Sequence, residues 1–470
     1  MSPLSLTQVL EATGGTVLST IQTSFSKVGT DTRKDLTDHL FIALKGDSFD
    51  AHQYLLKAQA QGATAVLVDH IPESQKEILS LCTVIQVPDT LLALQNLGTW
   101  VRRINPAQVL AMTGSNGKTS TKEFTAQILD SHLKVHYSQG SFNNHWGVPF
   151  SLLDLQPQHQ VAVIEMGMNH AGEIQRLVKI AEPDVVVCTM VGRAHIEFFG
   201  TQEKIAAAKE EIYLHSNPKS TAIFNLDNPW TAAMLKNDQL KNPGRPRLTF
   251  SEKEKADIQI KLQEVSYEGL KLKGHIQGVA GEAFVPVFGE HNLTNLLAAA
   301  SLSLAAGLSP QNIWQGFKNC KSHWGRNQKV RLKSGAVALF DAYNANPDSM
   351  EALLNNVKSI RANRKIGVFG QMRELGQLSS SLHNQLGEKV GKVGFAKVFF
   401  YGEDVESFKA GLEASQFSGQ SFMNADYSIQ MADQLSQDLQ TGDFLVFKAS
   451  RGLKLERMLL ACSPLDFLDK

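Results

Sequence analysis

Four apolar runs between Gln108 and Asp227 constrain this chain most: "QVLAMTG", "VAVIEMG", "DVVVCTMVG" and "STAIFNLD". Each is a short, near-continuous apolar segment that closes on small or polar residues. They do not alternate apolar with polar, so they read as strands covered on both faces. Helical patterns separate them, and strands alternating with helices predict a parallel sheet with helices on both sides. The same grammar appears twice more. Before Pro88, "DHLFIALKG" and "GATAVLVD" read as strands between helices, and after Ser322, "KIGVFG", "KVFFYG" and "DFLVFKAS" repeat the buried-strand pattern. A chain of 470 residues is too long for one core. The expected division is a smaller α/β domain over 1–88, a central parallel-sheet domain over 89–321 and a second Rossmann-like α/β domain over 322–470. A helix through "TLLALQNLGTWVRRI", followed by Asn105-Pro106, marks the first passage between them. "TFSEKEKADIQIKLQEVSYEGLKLKGHIQG" has period two and is expected as an antiparallel excursion at a sheet edge.

Composition excludes several function classes. Lys plus Arg and Asp plus Glu are both 46, so no net field steers the chain to nucleic acid or to an anionic membrane. The four cysteines form no CxxC pair, which argues against a zinc site or a disulfide framework and fits a reducing compartment. "MSPLSLTQVLEATGG" lacks the basic start and apolar stretch of a signal peptide. "NLLAAASLSLAAGL" is too short to span a bilayer and reads as a buried core helix. A cytoplasmic protein with no membrane insertion, expected to be a monomer, fits these features.

The chemistry centres on "AMTGSNGKTSTKEF", Ala111 to Phe124. A buried strand leads into Thr113, Gly114, Ser115, Asn116 and Gly117, and a helix begins at Lys118, Thr119 and Ser120. Backbone N–H groups and a helix N-terminus then face one point, the arrangement that cradles phosphates. Lys118 would reach the terminal phosphates, and the Thr119 hydroxyl would sit on Mg²⁺. The usual motif has a glycine where this chain has Met112. A plain strand-to-helix turn would use similar residues, but would not need Gly-Lys-Thr at the helix start. Two strand ends add chemistry, because ligands of open α/β sheets lie beyond the carboxyl ends of the strands. Glu165 ends one strand and is a natural magnesium ligand. His195 follows another; Mg²⁺ prefers oxygen, so chemistry alone favours a structural or substrate-contacting histidine. "GTQEKIAAAKEEIY" reads as a helix with Thr201 as its N-cap, and Lys209 beside Glu210 and Glu211 reads as part of a solvated face.

Together these residues resemble the Mur ligases, ATP-dependent amide-forming enzymes of peptidoglycan precursor synthesis, over nearly the whole chain. "TGSNGKT" is similar to the family's ATP loop. "TDTRKDLTDHLFIALKGDSFDAHQY" looks like its uridine-nucleotide opening, with Thr32 for the usual serine and Ala51 for the usual glycine. "SFNNHWGVP" resembles the Asn-Asn segment near the substrate, "GEHNLTNLLAAA" the segment beside adenine, and "GRNQ" the one with a phosphate-binding arginine. "DAYNANPDSM" and "GQMRELGQLSSSLH" resemble the branch that joins D-alanyl-D-alanine to UDP-N-acetylmuramoyl-tripeptide. The resemblance implies ATP and Mg²⁺ as cofactors. ATP contacts would come from Thr113–Ser120, Asn295, Arg326 and Asp341. The substrates would meet Thr32, Arg33, Lys45, Asn143, Asn144, Asn344, Asn346 and Arg451. Catalytic roles would fall to Lys118, Lys209 and His195, and metal would be held by Thr119, Glu165, His195 and Lys209. In the family a lysine at the position of Lys209 is carbamylated by CO₂, which makes it anionic, and a histidine at that of His195 assists a second Mg²⁺.

The implied reaction passes through an acyl phosphate. The expected division of labour is the nucleotide substrate on the first domain, ATP on the second and the amine on the third, where Arg373, Glu374, Lys448, Ser450 and Arg451 follow strands. Three alternatives remain open at this point: another amino-acid-adding Mur ligase, a folylpolyglutamate synthase, and a P-loop ATPase regulator of a different class. The residues also leave open whether the third peptide residue is L-lysine or meso-diaminopimelate.

Overall fold

The computed structural model describes residues 3–46 and 48–467. After helix α1 (Leu6–Thr13), the first sheet contains β1 (Thr16–Ser19), β2 (Lys27–Gly29), β3 (His39–Ile42), β4 (Ala65–Val68) and β5 (Thr83–Gln86), in the order β1-β5-β4-β3-β2. Only the β1–β5 pair is antiparallel. Ser5 caps α1 through a reciprocal pair with Gln8. Helix α2 (Thr90–Ile104), capped by Asp89, carries the chain onward. Its buried face, Ala93, Leu94, Leu97 and Val101, packs into an apolar cluster that joins Leu40, Ile42 and Leu67 of the first sheet to Val109, Ala111 and Ile164 of the second.

The second sheet contains β6 (Gln108–Thr113), β7 (Val135–Tyr137), β8 (Val161–Glu165), β9 (Val185–Cys188), β10 (Thr221–Asn225), β11 (Arg247–Ser251), β12 (Ile258–Val265), β13 (Leu270–Ile276) and β14 (Val279–Val285). Their order is β7-β8-β6-β9-β10-β11-β12-β13-β14. The first seven are parallel, and β12, β13 and β14 form an antiparallel meander at the edge, as the period-two stretch predicts. Around this sheet lie α3 (Lys118–Leu129), α4 (Gly147–Leu153), α5 (Glu173–Ala181), α6 (Gln202–Leu214) and α7 (Asn292–Ala305). Helix α3 ends at Leu129, and residues 130–133 turn away from it. Helix α7 is buried through the Leu-Ala run, and its Leu296, Leu297 and Leu302 fill the opposite face of the sheet.

The third sheet contains β15 (Gln328–Arg331), β16 (Val337–Phe340), β17 (Arg364–Gly370), β18 (Lys397–Tyr401), β19 (Gln420–Asn424) and β20 (Asp443–Lys448), in the order β15-β16-β20-β17-β18-β19. It is parallel except for β15, and helix α8 (Pro347–Lys358) begins just beyond β16. No helix among the described residues is long and apolar enough to cross a membrane. All four thiols are buried and free.

Candidate active site

The loop after β6 lies where the strand order reverses, with β8 on one side and β9 on the other. That is where open α/β sheets place ligands. Two glycines let the backbone turn. Gly114 has φ +151° and Gly117 φ +84°; a Cβ would overlap Thr189 Oγ1 at the first and Asn295 Oδ1 at the second. Gly117 caps α3, so the helix opens directly on Lys118. Lys118 Nζ donates to Gly114 O at 2.7 Å, folded back over its own loop, and burial pushes its pKa down.

Glu165 at the end of β8 is 1% exposed. Its carboxylate accepts from Thr119 Oγ1 at 2.9 Å and from Asn143 Nδ2 at 2.7 Å. No cation lies within ion-pair distance of it among the described residues, and a buried carboxylate without a counter-charge is costly. The Thr119 hydroxyl and the Glu165 oxygens are hard donors that fit a divalent cation. Lys209 corrects the solvated-face expectation. It lies on the inner side of α6 with Ile205, Ala208, Ile212 and Tyr213, and it is 1% exposed. Burial first, then the nearby Lys118 charge, push its pKa down to about 7.

The third domain closes over this loop. Asn346 Nδ2 donates to Asn116 Oδ1 at 2.8 Å, while its own Oδ1 caps α8 through Ser349 N at 2.9 Å. Arg193 binds Asp348 through its backbone N at 2.6 Å and its Nε at 2.7 Å. His195 Nδ1 lies 2.8 Å from Glu374 Oε2, which holds the Glu374 carboxyl below its usual range. The two atoms are close, but the ring is not aligned for a hydrogen bond. Both residues take left-handed backbone, φ +65° and +63°, at a cost of about 1 kcal/mol each. Arg326 stacks on Tyr343 with its guanidinium carbon 4.2 Å from the ring centre, and its Nη2 lies 3.4 Å from Thr119 Oγ1. Asp341 accepts from Lys448 Nζ at 2.6 Å and from Asn327 N at 3.2 Å.

The structure thus gathers Ser115–Ser120, Asn143, Glu165, His195, Asn295, Arg326, Asp341, Asn344 and Asn346 around one cleft. Other expected residues lie elsewhere. Thr113 is wholly buried beneath the loop, so its side chain does not reach the cleft. Asn144 Oδ1 accepts from Trp146 N and Gly147 N at the start of α4. Its side chain lines a separate groove between the first and second sheets. Thr32 and Arg33 line a groove with the stacked Phe49–Tyr54 pair, whereas Lys45 does not. Arg451 is held by Glu456 Oε1 at 2.7 Å and lies over Trp324, away from the cleft. Asn346 lines the cleft with both side-chain atoms engaged, one by the cap of α8 and one by Asn116.

Sequence reasoning missed His291, Asn327 and Tyr343 as cleft residues, and Lys448, expected beside the amine, lines the same cleft. His291 Nε2 accepts from Asn327 Nδ2 at 3.0 Å, its Nδ1 is buried without a partner, and burial pushes its pKa down to about 4. The signal was present, since His291 lies in the segment that resembles the adenine contact.

Known proteins agree with this architecture. Residues 112–303 match the Mur ligase middle domain, and residues 325–451 match the Mur ligase glutamate ligase domain. The chain is 34% identical to the UDP-N-acetylmuramoyl-tripeptide–D-alanyl-D-alanine ligase of Bacillus subtilis, across 95% of each. The structure superposes on MurF from Acinetobacter baumannii with a TM-score of 0.86, at 29% identity and 98% coverage of both. It also superposes on MurF ligase from Thermotoga maritima in complex with ADP, with a TM-score of 0.78, 25% identity and 93% and 96% coverage. The loop, the buried acid and lysine behind it, and the three-sheet architecture therefore have one common source: the chain belongs to the Mur ligase family.

Proposed function

We propose that this chain is the ATP-dependent ligase that joins D-alanyl-D-alanine to UDP-N-acetylmuramoyl-tripeptide in peptidoglycan precursor synthesis. The near full-length likeness to ligases of that name carries the reading. In the proposed division, residues 1–88 hold the uridine end, 89–321 hold ATP, and 322–470 present the dipeptide. The groove containing Thr32, Phe49, Tyr54 and Lys57 offers an aromatic stack and a cation, which suit a nucleotide, while Arg33 beside them is paired with Asp31 at 2.9 Å.

The donor carboxylate oxygen attacks the γ-phosphorus of ATP, and the bond to the β–γ bridging oxygen breaks to release ADP. The dipeptide amine then attacks the acyl carbon. The carbon–oxygen bond to phosphate breaks, inorganic phosphate leaves and the nitrogen gives up a proton. Phosphoryl transfer needs positioning and charge neutralisation more than covalent help. Lys118 supplies charge by swinging from Gly114 O to the terminal phosphates, and the loop N–H groups hold the β-phosphate. Thr119, Glu165 and a Lys209 carbamate would hold Mg²⁺, which when bound neutralises phosphate charge; His195 would stand by a second ion. Asn116–Asn346 and Arg193–Asp348 keep the third domain over the cleft, which shields the acyl phosphate from water. His291, neutral and with a free Nδ1, suits a hydrogen bond to a base edge.

The test is phosphate release in the presence of the donor with D-alanyl-D-alanine, D-alanine, L-glutamate, L-lysine or meso-diaminopimelate. Fast turnover with the dipeptide alone is expected. A single amino acid working better overturns the acceptor assignment, and ADP release without donor or acceptor makes the chain an ATPase.

A further inference from the structure

Lys122 lies one turn beyond Lys118 on α3, about 6 Å further along the axis, and its side chain is fully buried. Its Nζ donates to Ser138 O and Gly140 O, both at 2.6 Å, and lies 3.2 Å from Glu123 Oε1. An ammonium buried this deeply is tolerated only where its protons find acceptors and its charge a partner; here two carbonyls accept from it and the Glu123 carboxylate supplies the counter-charge. A leucine or methionine would fill the same space without that requirement, so the charge serves the two carbonyls.

Those carbonyls begin the irregular segment 138–146 that joins β7 to α4. Gly140 there takes φ +51°, and Ser141 and Asn143 line the cleft. The far end of the segment is tied to β8: Gly167 N donates to Asn143 O at 2.8 Å, and Asn143 Nδ2 reaches Glu165. The segment is therefore held by the buried acid at its tip and, at its base, by Lys122 together with β8, where Ser138 N donates to Val163 O at 3.1 Å; Lys122 alone reaches on to Gly140 O. One rigid helix carries both the lysine that faces the phosphates and the lysine that grips this segment.

The geometry points to Lys122 as a positioning residue for the phosphoryl-transfer step. It holds the donor-side segment 138–144 at a set offset from the phosphate loop, so that the carboxylate meets the γ-phosphorus in line. This rests on the ligase assignment above. The wild-type rate tests that assignment, and the ratio of variant to wild type tests the positioning.

The experiment compares full-length wild type, Lys122→Met, Lys122→Arg and Glu123→Gln. Lys122→Met removes the donors and keeps the bulk. It is expected to bind a non-hydrolysable ATP analogue within about twofold of wild type while kcat for donor-dependent turnover falls about 100-fold. Amide hydrogen exchange, which needs no turnover, should accelerate over 138–144 and stay unchanged over 113–120. Lys122→Arg, which keeps donors, should recover part of the rate, and Glu123→Gln, which leaves both carbonyl contacts in place, should stay close to wild type. A Lys122→Met kcat within about threefold of wild type overturns the proposal, as does a loss of ATP affinity in proportion to the rate. Unchanged exchange over 138–144 overturns it too. If neither Lys122 variant folds, the lysine is a determinant of stability and the positioning role is wrong.

Discussion

On the proposed function Lys209 would turn an electrostatic cost into chemistry, and the cost can be worked through. Its pKa falls from 10.5 to about 7 because the ammonium is buried beside Lys118. At pH 7 that raises the neutral fraction from about 1 in 3,000 to about one half. Only the neutral amine attacks CO₂, so the buried site makes a carbamate accessible at neutral pH, and the product is an anion facing Lys118. The same fall means that holding the proton in the folded chain costs about 5 kcal/mol. The unfolded chain keeps this proton up to 10.5 while the folded chain sheds it near 7. The destabilisation is therefore fully present below pH 7 and fades as pH rises toward 10.5. In CO₂-free buffer, Lys209→Met should be more stable than wild type at pH 6, by several kcal/mol, and the two should converge by about pH 10. Chemical denaturation across that range reads the difference. For activity, Lys209→Ala should lose about 10²–10³ in kcat, Lys209→Glu should retain part of it, and added bicarbonate should restore CO₂-depleted wild type. Parallel stability profiles, or Lys209→Ala as active as wild type, would refute the reasoning.

Two further outcomes follow from the cleft. Lys118→Ala should cut kcat by about 10²–10³ without lowering the denaturation midpoint, because the proposed role serves a ligand and removing a charge buried beside Lys209 relieves a cost; steady-state ADP formation reads this. Arg193→Ala, which breaks the side-chain half of the Asp348 contact, should raise the acceptor KM a few-fold and leave ATP binding intact. The pair is partly exposed, so moderate salt should mimic the mutation in wild type.

Much of this was legible in the sequence because its signals are local. The strand, the glycine turn and Lys118 are consecutive, and continuous apolar runs announce buried strands whatever surrounds them. The antiparallel edge was readable because polar–apolar alternation runs through β12 and β13. Lys209 was misread for a definable reason: its neighbours Glu210 and Glu211 are charged, yet positions 205, 208, 209, 212 and 213 lie on one side of α6. Counting the helical period would have placed the lysine on the apolar side. The docking contacts had no such signal. Asn116 and Asn346, or Arg193 and Asp348, are far apart in the chain and meet only when two finished domains come together. Arg451 illustrates the converse, since a cation after a strand looks available until Glu456 and Trp324 are seen to hold it.

The apolar cluster beneath α2 also governs how the molecule comes apart. Val9, Leu40 and Leu67 share that cluster with Val109, Ile164 and Phe224, so no polar seam separates the first sheet from the second. The third sheet is filled by clusters of its own, and among the described residues Phe288 is the one buried central side chain in them. Heat should therefore melt the first two sheets as one cooperative unit and the third as another, joined mostly by polar contacts such as Asn116–Asn346, Arg193–Asp348, His291–Asn327 and Glu290–Asn356, with Phe288 and Tyr267 packing on Phe444. A nucleotide that touches both sides of the cleft would couple the two transitions and draw them together.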